Sequence, residues 1–524
     1  MCLTSIQQKA VDCVAGPIMN ISVLERGLCA ALPKFAGPHK KGNGMSELWR
    51  MTARNVVNLL KRRELTPLDL IDASLQRIEK TNPALNSLPT VCADRARRHA
   101  RRIELSDENS ILSGLPVAVK DLNDVQGVRT TYGSPLFAEH IPDGSDAMVE
   151  ILEENGGIII AKSNAPEFGH GANTFNDVFG KTRNPWNTGL TCGGSSGGSA
   201  VAVASGQTWA ATGSDFGCSL RTPAAFCSVV GLRPSPGRIA RSRVRLPFDN
   251  LWVQGPMARN VGDVALLLDA MVGVHPLDPI SIERPGIAFV NAVDEPRVPR
   301  RIAFSPDLGG TVRISRQMRE LFSDAVRKLS ALNVPIEEAC PDLGDAGSIY
   351  EILRANQFVG DLGPIIEDHR ERVKPELVDN YARGKAMSVE KLAKAEIQRG
   401  KLYERVARFF EAYDLLIAPS TAVLPFDIEM KYLKDIDGQP LNYYYEWYAI
   451  CYSLTLTALP ILSLPCGFTA DGLPVALQLV GPPRGEHRLL SYAVLLEDIF
   501  GVSGATPIDA RSAEETRTAT APVA

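Results

Sequence analysis

The sequence predicts an α/β fold in which helices cover a β-sheet. Three observations predict it. Short apolar runs of strand length alternate along the chain with longer stretches of helical periodicity. The 524 residues are 45% hydrophobic, which is enough for a sizeable core. No internal repeat or low-complexity tract interrupts the alternation.

The chain divides into a short leader, one large domain and a tail. Residues 1–44 have weak periodicity and end on the linker-like "GPHKKGNG", so we expect an N-terminal extension or linker and hypothesise that the native chain starts at Met45. Residues 45–505 form the predicted domain. Within it, about 317–413 is expected to be a helical insertion, and residues 506–524 are expected to be a C-terminal tail.

The elements of the domain follow in order. Residues 45–80 contain two amphipathic helices, the second capped by Thr66 with Pro67 at its first position. Seven apolar runs are then predicted strands: "LPVAVK" (115–120), "GIIIAK" (157–162), "TWAATGS" (208–214), "RIAFSP" (301–306), "DLLIAPS" (414–420), "LPILSLPCG" (459–467) and "ALQLVG" (476–481).

Composition excludes several classes of function. The 56 basic and 60 acidic residues nearly cancel and form no basic stripe, so no nucleic-acid partner is expected. The ten cysteines include no C-x-x-C pair and no metal-ligand pattern is visible, so we expect no metal, no cofactor and no disulfide framework. No apolar run reaches the roughly 18 to 20 residues of a membrane span, and no signal peptide is visible. A cytoplasmic location is therefore expected.

The glycine-rich segment "TCGGSSGGSAVAVASG" (191–206) admits several interpretations. It lacks the G-K-[ST] closure of a P-loop and the spacing of G-x-G-x-x-G, which argues against a phosphate site. Its "GSSGG" matches G-x-S-x-G at Ser196, and a Ser-His-Asp esterase would then need a downstream histidine, for which His275, His369 and His487 qualify by order. A flexible glycine-serine loop before a helix is the structural alternative.

Two neighbouring segments add further polar groups. "GSDFGCSLRTPAAFCSVVGLRPSPGRI" places Ser219 in a turn before a helix. "GLPVAVKDLNDV" ends a predicted strand on Lys120, and strand ends commonly present functional groups to a cleft. A lysine at that place could serve as a base.

These segments together resemble the amidase signature family. "AKSNAPEFGHG" and "ALPILSLPCGFTADGLPVALQLVGPP" are also similar to family segments and stand in the right order, so the resemblance spans roughly residues 45–500. It implies the family's fold, a large mixed β-sheet with helices on both faces. It also implies hydrolysis of a small-molecule amide by a serine, a second serine and a lysine.

Carried over position by position, the resemblance implies Lys120 as base, Ser195 as bridging serine after a cis peptide bond, and Ser219 as nucleophile. It further implies an oxyanion hole of backbone N–H groups from Phe216, Gly217, Cys218 and Ser219. Lysine accepts a proton only when neutral, and burial without a carboxylate partner lowers its pKa. The sequence departs from the family at Cys218, where a glycine is usual, and a nucleophilic Cys218 is a competing interpretation.

Specificity is less visible. The stretch "LNYYYEWYAICYSLTLTAL" (441–459) concentrates aromatic residues, which suit a pocket for an aryl or apolar amide, carbamate or ester. We hypothesise substrate contacts from some of these; a helix packed into the core is the alternative. The residues are Tyr443, Tyr444, Tyr445, Trp447 and Tyr448.

Two other functions stay open: the amidase subunit of a glutamine-dependent tRNA amidotransferase, and an esterase using Ser196. The oligomeric state is not encoded in any visible motif, and a homodimer is the default expectation for a soluble protein.

Overall fold

A computed structural model describes residues 45–105 and 110–512 of the chain. The predicted extension 1–44 and residues 513–524 of the predicted tail lie outside the described residues. The strands are β1 (Thr90–Val91), β2 (Pro116–Lys120), β3 (Ile158–Ser163), β4 (Phe175–Asn176), β5 (Gly180–Lys181), β6 (Arg183–Asn184), β7 (Asn187–Thr191), β8 (Ala210–Asp215), β9 (Val230–Arg233), β10 (Val253–Ala258), β11 (Ile302–Phe304), β12 (Ile336–Glu338), β13 (Leu415–Pro419), β14 (Asp435–Ile436), β15 (Gln439–Pro440), β16 (Ile461–Phe468) and β17 (Pro474–Val480).

Eleven of these strands form one mixed sheet, which confirms the expected fold class. Their order is β1-β3-β2-β8-β10-β9-β16-β17-β13-β11-β12. Strand β2 is parallel to both of its neighbours, β3 and β8, whereas the middle of the sheet from β8 to β13 is antiparallel. Each of the seven predicted apolar runs contains one strand of this sheet.

Helices cover both faces of the sheet. They are α1 (Ala53–Lys61), α2 (Pro67–Leu85), α3 (Ala93–Leu105), α4 (Ala147–Glu154), α5 (Gly197–Ala204), α6 (Arg221–Cys227), α7 (Val261–Met271), α8 (Phe289–Asp294), α9 (Arg316–Lys328), α10 (Ala346–His369), α11 (Pro375–Lys385), α12 (Val389–Ala412), α13 (Ala449–Thr455) and α14 (Glu486–Phe500). Alternate residues of β2 enter separate cores, as a pleated strand requires: Val117 and Val119 pack with α1 and α7, and Ala118 packs with α2 and α5.

The predicted opening helices are α1 and α2. Thr66 caps α2 as expected: its hydroxyl accepts a hydrogen bond from the N–H of Asp69, and the Asp69 carboxylate accepts one from the N–H of Thr66. The capping residue therefore fixes where this helix begins.

The interval 317–413 is mostly helical but also contains the edge strand β12, which pairs with β11. Its helices α10, α11 and α12 pack on one another. The first residues of the predicted tail are held against the domain, since the N–H of Ile508 donates to the Ala204 carbonyl at 2.9 Å. Among the described residues, no helix combines the length and apolar character that a membrane crossing requires.

Candidate active site

The topology of the sheet brings Lys120 and Ser219 to one edge. Strands β2 and β8 are parallel neighbours, so their carboxyl ends meet at the same edge of the sheet. Lys120 is the last residue of β2, and the loop that carries Ser219 follows β8 directly. The glycine-rich segment before α5 supplies Ser195.

Lys120 is buried among serines. Its Nζ donates hydrogen bonds to the Oγ atoms of Ser195, Ser196 and Ser214 at 2.7, 2.9 and 2.9 Å. The side chain is fully buried and forms no ion pair within the described part of the chain. Burial lowers the pKa of Lys120 to about 7, with Asp215 opposing the shift. The amine is therefore substantially neutral near neutral pH.

The glycines of the 193–198 segment allow a close approach of backbones. A Cβ on Gly194 would lie 2.9 Å from the backbone of Asn173, and one on Gly198 would lie 2.3 Å from the backbone of Asn164. The peptide bond between Gly194 and Ser195 is cis, at the position that the resemblance implies. The N–H of Ser196 donates to the Ser219 carbonyl at 3.2 Å, so the two serine turns are joined directly.

A buried ion pair holds the loop between β8 and α6. Arg221 donates to both carboxylate oxygens of Asp215, at 2.9 and 3.1 Å, and to the carbonyl of Gly217 at 2.9 Å. Burial opposes ionisation of Asp215, but Arg221 and Arg233 outweigh it and hold the pKa of that carboxyl below its ordinary value. This network fixes the shape of the loop that carries Ser219.

The backbone N–H groups of residues 216–219 are available as donors. None of them donates a hydrogen bond to another part of the chain within residues 45–105 and 110–512. Cys218 has no positive φ, so its side chain imposes no left-handed strain on this loop. Burial raises the pKa of the Cys218 thiol well above its ordinary value, which disfavours a nucleophilic thiolate.

Ser195 and Ser219 open into a cavity of about 340 Å³. Its wall is mostly aromatic and aliphatic, with a smaller number of charged groups. The apolar lining comes from Leu122, Tyr132, Phe137, Phe168, Phe216, Val244, Leu246, Trp252, Tyr350, Leu362, Ile365 and Tyr448; the polar lining includes His170, Arg241, Arg243, Arg245, Asp249, Arg354, Gln357 and Asp361. A pocket of this kind suits a small organic molecule.

The five aromatic residues singled out in the sequence occupy three places. Tyr448 lines the cavity, and its ring lies 3.2 Å from where a Cβ on Gly217 would be. Tyr443, Tyr444 and Tyr445 line a separate depression. Trp447 is buried in the core, where it packs edge-on against Phe426 and Tyr448.

Sequence reasoning missed the contribution of α10. This helix places Tyr350, Arg354, Gln357 and Asp361 along the cavity. Their spacings of four, three and four residues put them on one helical face. That spacing could have indicated a shared face, but nothing in the sequence indicates which site the face meets.

The histidines do not form a triad with Ser196. Ser196 is fully buried, and its Oγ accepts from Lys120 and donates to the Ser214 carbonyl at 3.2 Å. His275 pairs with Glu150, and His487 bonds the Ile287 carbonyl. His170 lines the cavity, where burial lowers its pKa to about 3.

Comparisons with known proteins agree with this geometry. The model of the family described as Amidase matches residues 69–490. The chain is 30% identical over 465 residues to an acylamidase of Rhodococcus erythropolis, covering 88% of this chain and 97% of that protein. It is 34% identical over 498 residues to the A-type subunit of the glutamyl-tRNA(Gln) amidotransferase of Anaeromyxobacter dehalogenans strain 2CP-C, covering 88% and 98%. The solved structure of 6-aminohexanoate cyclic dimer hydrolase superposes with a TM-score of 0.78 at 26% identity, covering 88% of this chain and 99% of that one.

Proposed function

Since this chain belongs to the amidase family and is an amidase, we propose that it hydrolyses aryl or apolar amides through a serine acyl-enzyme. Ser219 is the nucleophile, Ser195 relays protons and Lys120 is the base. The observation that carries the proposal is the buried Lys120 amine, 2.7 Å from the Ser195 hydroxyl at the floor of a cavity that also exposes Ser219.

The first chemical step follows from these contacts. Neutral Lys120 accepts the proton of Ser195, Ser195 accepts the proton of Ser219, and the Ser219 oxygen attacks the amide carbon. The negative charge that develops on the amide oxygen is stabilised by the free N–H groups of residues 216–219. Loss of one such donor typically costs about 3 to 4 kcal/mol of transition-state stabilisation.

The second half of the reaction reverses the relay. Protonated Lys120 returns its proton through Ser195 to the leaving nitrogen, so that the amine departs and Ser219 stays acylated. Water then attacks the acyl carbon while the same two groups remove its proton. The chemistry thus needs one lysine that changes its protonation state twice in each turnover.

The apolar wall of the cavity supports the substrate class. Phe137, Phe168 and Trp252 line it together with Tyr448, and aromatic walls suit aryl or aliphatic groups. The acylamidase of Rhodococcus erythropolis bears a name that fits such substrates. Carbamates and esters present the same kind of acyl carbon to Ser219 and belong to the proposed range.

The test is a time-resolved release assay over aryl amides, alkyl amides, carbamates, esters and glutamine. Ser219→Ala is expected to lower kcat/KM for aryl amides by at least about a thousandfold. Ser205→Ala is the matched control, because the Ser205 hydroxyl only bonds carbonyls within α5 and lies outside the cavity lining. If Ser219→Ala keeps wild-type turnover, Ser219 is not the nucleophile.

A second candidate is the amidase subunit of a glutamine-dependent tRNA amidotransferase. It is favoured by the 34% identity to the Anaeromyxobacter protein over nearly the whole of both chains. In the same assay, ammonia release from glutamine faster than amine release from any aryl amide would make this candidate the better one.

A further inference from the structure

Arg354 is a buried cation that no carboxylate neutralises. The residue lies on α10, lines the cavity that holds Ser219, and has a relative exposure of only 2%. Its guanidinium donates to the amide oxygen of Asn380 and to the hydroxyl of Tyr444, both of them neutral acceptors. Within the described ranges it forms no ion pair.

The remaining charge of the site does not compensate it. Arg241 on the cavity wall is paired with Asp249, and Arg243 with Asp124 and Asp143. The nearby cavity carboxylate Asp361 is seven residues along α10, two helical turns away, and the cations that influence its pKa are Arg245 and Arg241. Arg354 is therefore the buried arginine of this cavity that lacks an acidic partner among the described residues.

An arginine in this state favours an anion. Taking a guanidinium out of water without a counter-charge is unfavourable. The aromatic rings of Phe358, Tyr444 and Tyr445 lie 4.7 to 5.3 Å from the Arg354 guanidinium carbon and offset part of that cost. Two of its five N–H donors are used, which leaves donors for a planar oxyanion.

The position of Arg354 places that anion beside the reacting carbonyl. Tyr350 lies one helical turn before it, and the Tyr350 hydroxyl would lie 2.6 Å from a Cβ on Gly217. One turn of α10 thus separates Arg354 from the loop of free N–H groups, a rise of about 6 Å. A substrate held by both would span the distance between its scissile carbonyl and a second polar group.

We propose that the preferred substrates are amides that carry a carboxylate, which Arg354 binds while Ser219 attacks the amide carbonyl. The proposal rests on the proposed function and names its substrate class. In this role Arg354 determines specificity and takes no part in proton transfer.

The experiment compares charged and neutral substrates in wild type and in Arg354→Gln. One pair carries the carboxylate on the acyl side, glutaranilic acid against pentananilide. The other carries it on the amine side, 4-acetamidobenzoate against 4-methylacetanilide. For each pair, the loss of kcat/KM with the acid is divided by the loss with the neutral partner, so that leaving-group effects cancel.

In at least one pair, this ratio is expected to be roughly 10 to 100, with most of the change in KM, because charge-assisted hydrogen bonds are lost. Arg354→Lys should restore part of the preference. Arg399→Gln is the matched control, since Arg399 bonds the Leu456 carbonyl and lies outside the cavity lining, and its ratio should be near one.

A ratio near one for Arg354→Gln in both pairs overturns the proposal. Should that variant not fold, competitive inhibition of wild type replaces it: phenylacetate and glutarate should inhibit pentananilide hydrolysis about tenfold more strongly than their neutral amides, and equal inhibition overturns the proposal. The two failures are distinguishable. Ser219-dependent hydrolysis of pentananilide without any preference for acids preserves the proposed function and rejects the role of Arg354, whereas hydrolysis that does not depend on Ser219 rejects the proposed function itself.

Discussion

The pH dependence of kcat/KM follows from the environment of Lys120. Its pKa is lowered to about 7 by burial, and only the neutral amine can accept the proton of Ser195. Protonation therefore removes activity as the pH falls through that value. The neutral fraction is about one tenth at pH 6, about one half at pH 7 and about nine tenths at pH 8. For an uncharged anilide, kcat/KM should rise about tenfold between pH 6 and pH 8 and then level off.

A lysine with its ordinary pKa would behave differently. Its neutral fraction would rise about tenfold for every pH unit up to about pH 9, with no plateau. The assay measures initial rates of aniline release at low substrate concentration from pH 5.5 to 9.5, with far-UV circular dichroism to confirm that the protein stays folded. A steady tenfold rise per unit, or a flat profile, would refute the assignment of Lys120 as a buried base.

One other buried group needs a control. Burial raises the pKa of Asp146 to about 7, and its carboxylate accepts hydrogen bonds from Asn123 and from the N–H of Asp124. Asp146→Asn should leave the midpoint of the activity profile unchanged. His170, with a pKa lowered to about 3, stays neutral over the whole range and contributes no limb.

Three further predictions concern the loop after β8. Asp215→Asn removes the counter-charge of two buried arginines and should lower the free energy of unfolding by about 3 to 5 kcal/mol in urea titrations; an unchanged midpoint would show that the arginines are neutralised elsewhere. Cys218→Ala should keep kcat/KM within about threefold, and iodoacetamide should not inactivate wild type, since the buried thiol is protonated. Gly217→Ala should lower kcat/KM about tenfold or more because its Cβ would meet the Tyr350 hydroxyl at 2.6 Å, and adding Tyr350→Phe should recover part of that loss; no recovery would mean that the contact is not the cause.

The sheet was largely predictable from apolar runs, and its exceptions have a physical reason. The run 115–120 predicts a strand, and β2 occupies 116–120 with Lys120 at its end. Strand β10 gave no signal because its six residues include Gly255 and Pro256, which normally argue against a central strand. It nevertheless pairs with β8 over its whole length.

The site was predictable only where residues are close in sequence to a motif. Lys120, Ser195 and Ser219 stand in segments with strong local patterns, and the structure brings all three to one edge of the sheet. Arg354 comes from a helix more than a hundred residues away, and its burial depends on which face of α10 meets the cavity. Periodicity within α10 defines that face but not its neighbour, so tertiary packing alone reveals it.

The Arg221 network has a consequence for dissecting this enzyme. Besides Asp215, Arg221 donates to the Cys451 carbonyl and the Thr455 hydroxyl of α13 and to the Gln478 side chain of β17. The loop that follows β8 is thus anchored by the last hundred residues of the chain. A fragment ending near residue 440 would contain every side chain of the proposed relay and still lack the anchors of its nucleophile, so activity should return only when the complementary fragment is added back.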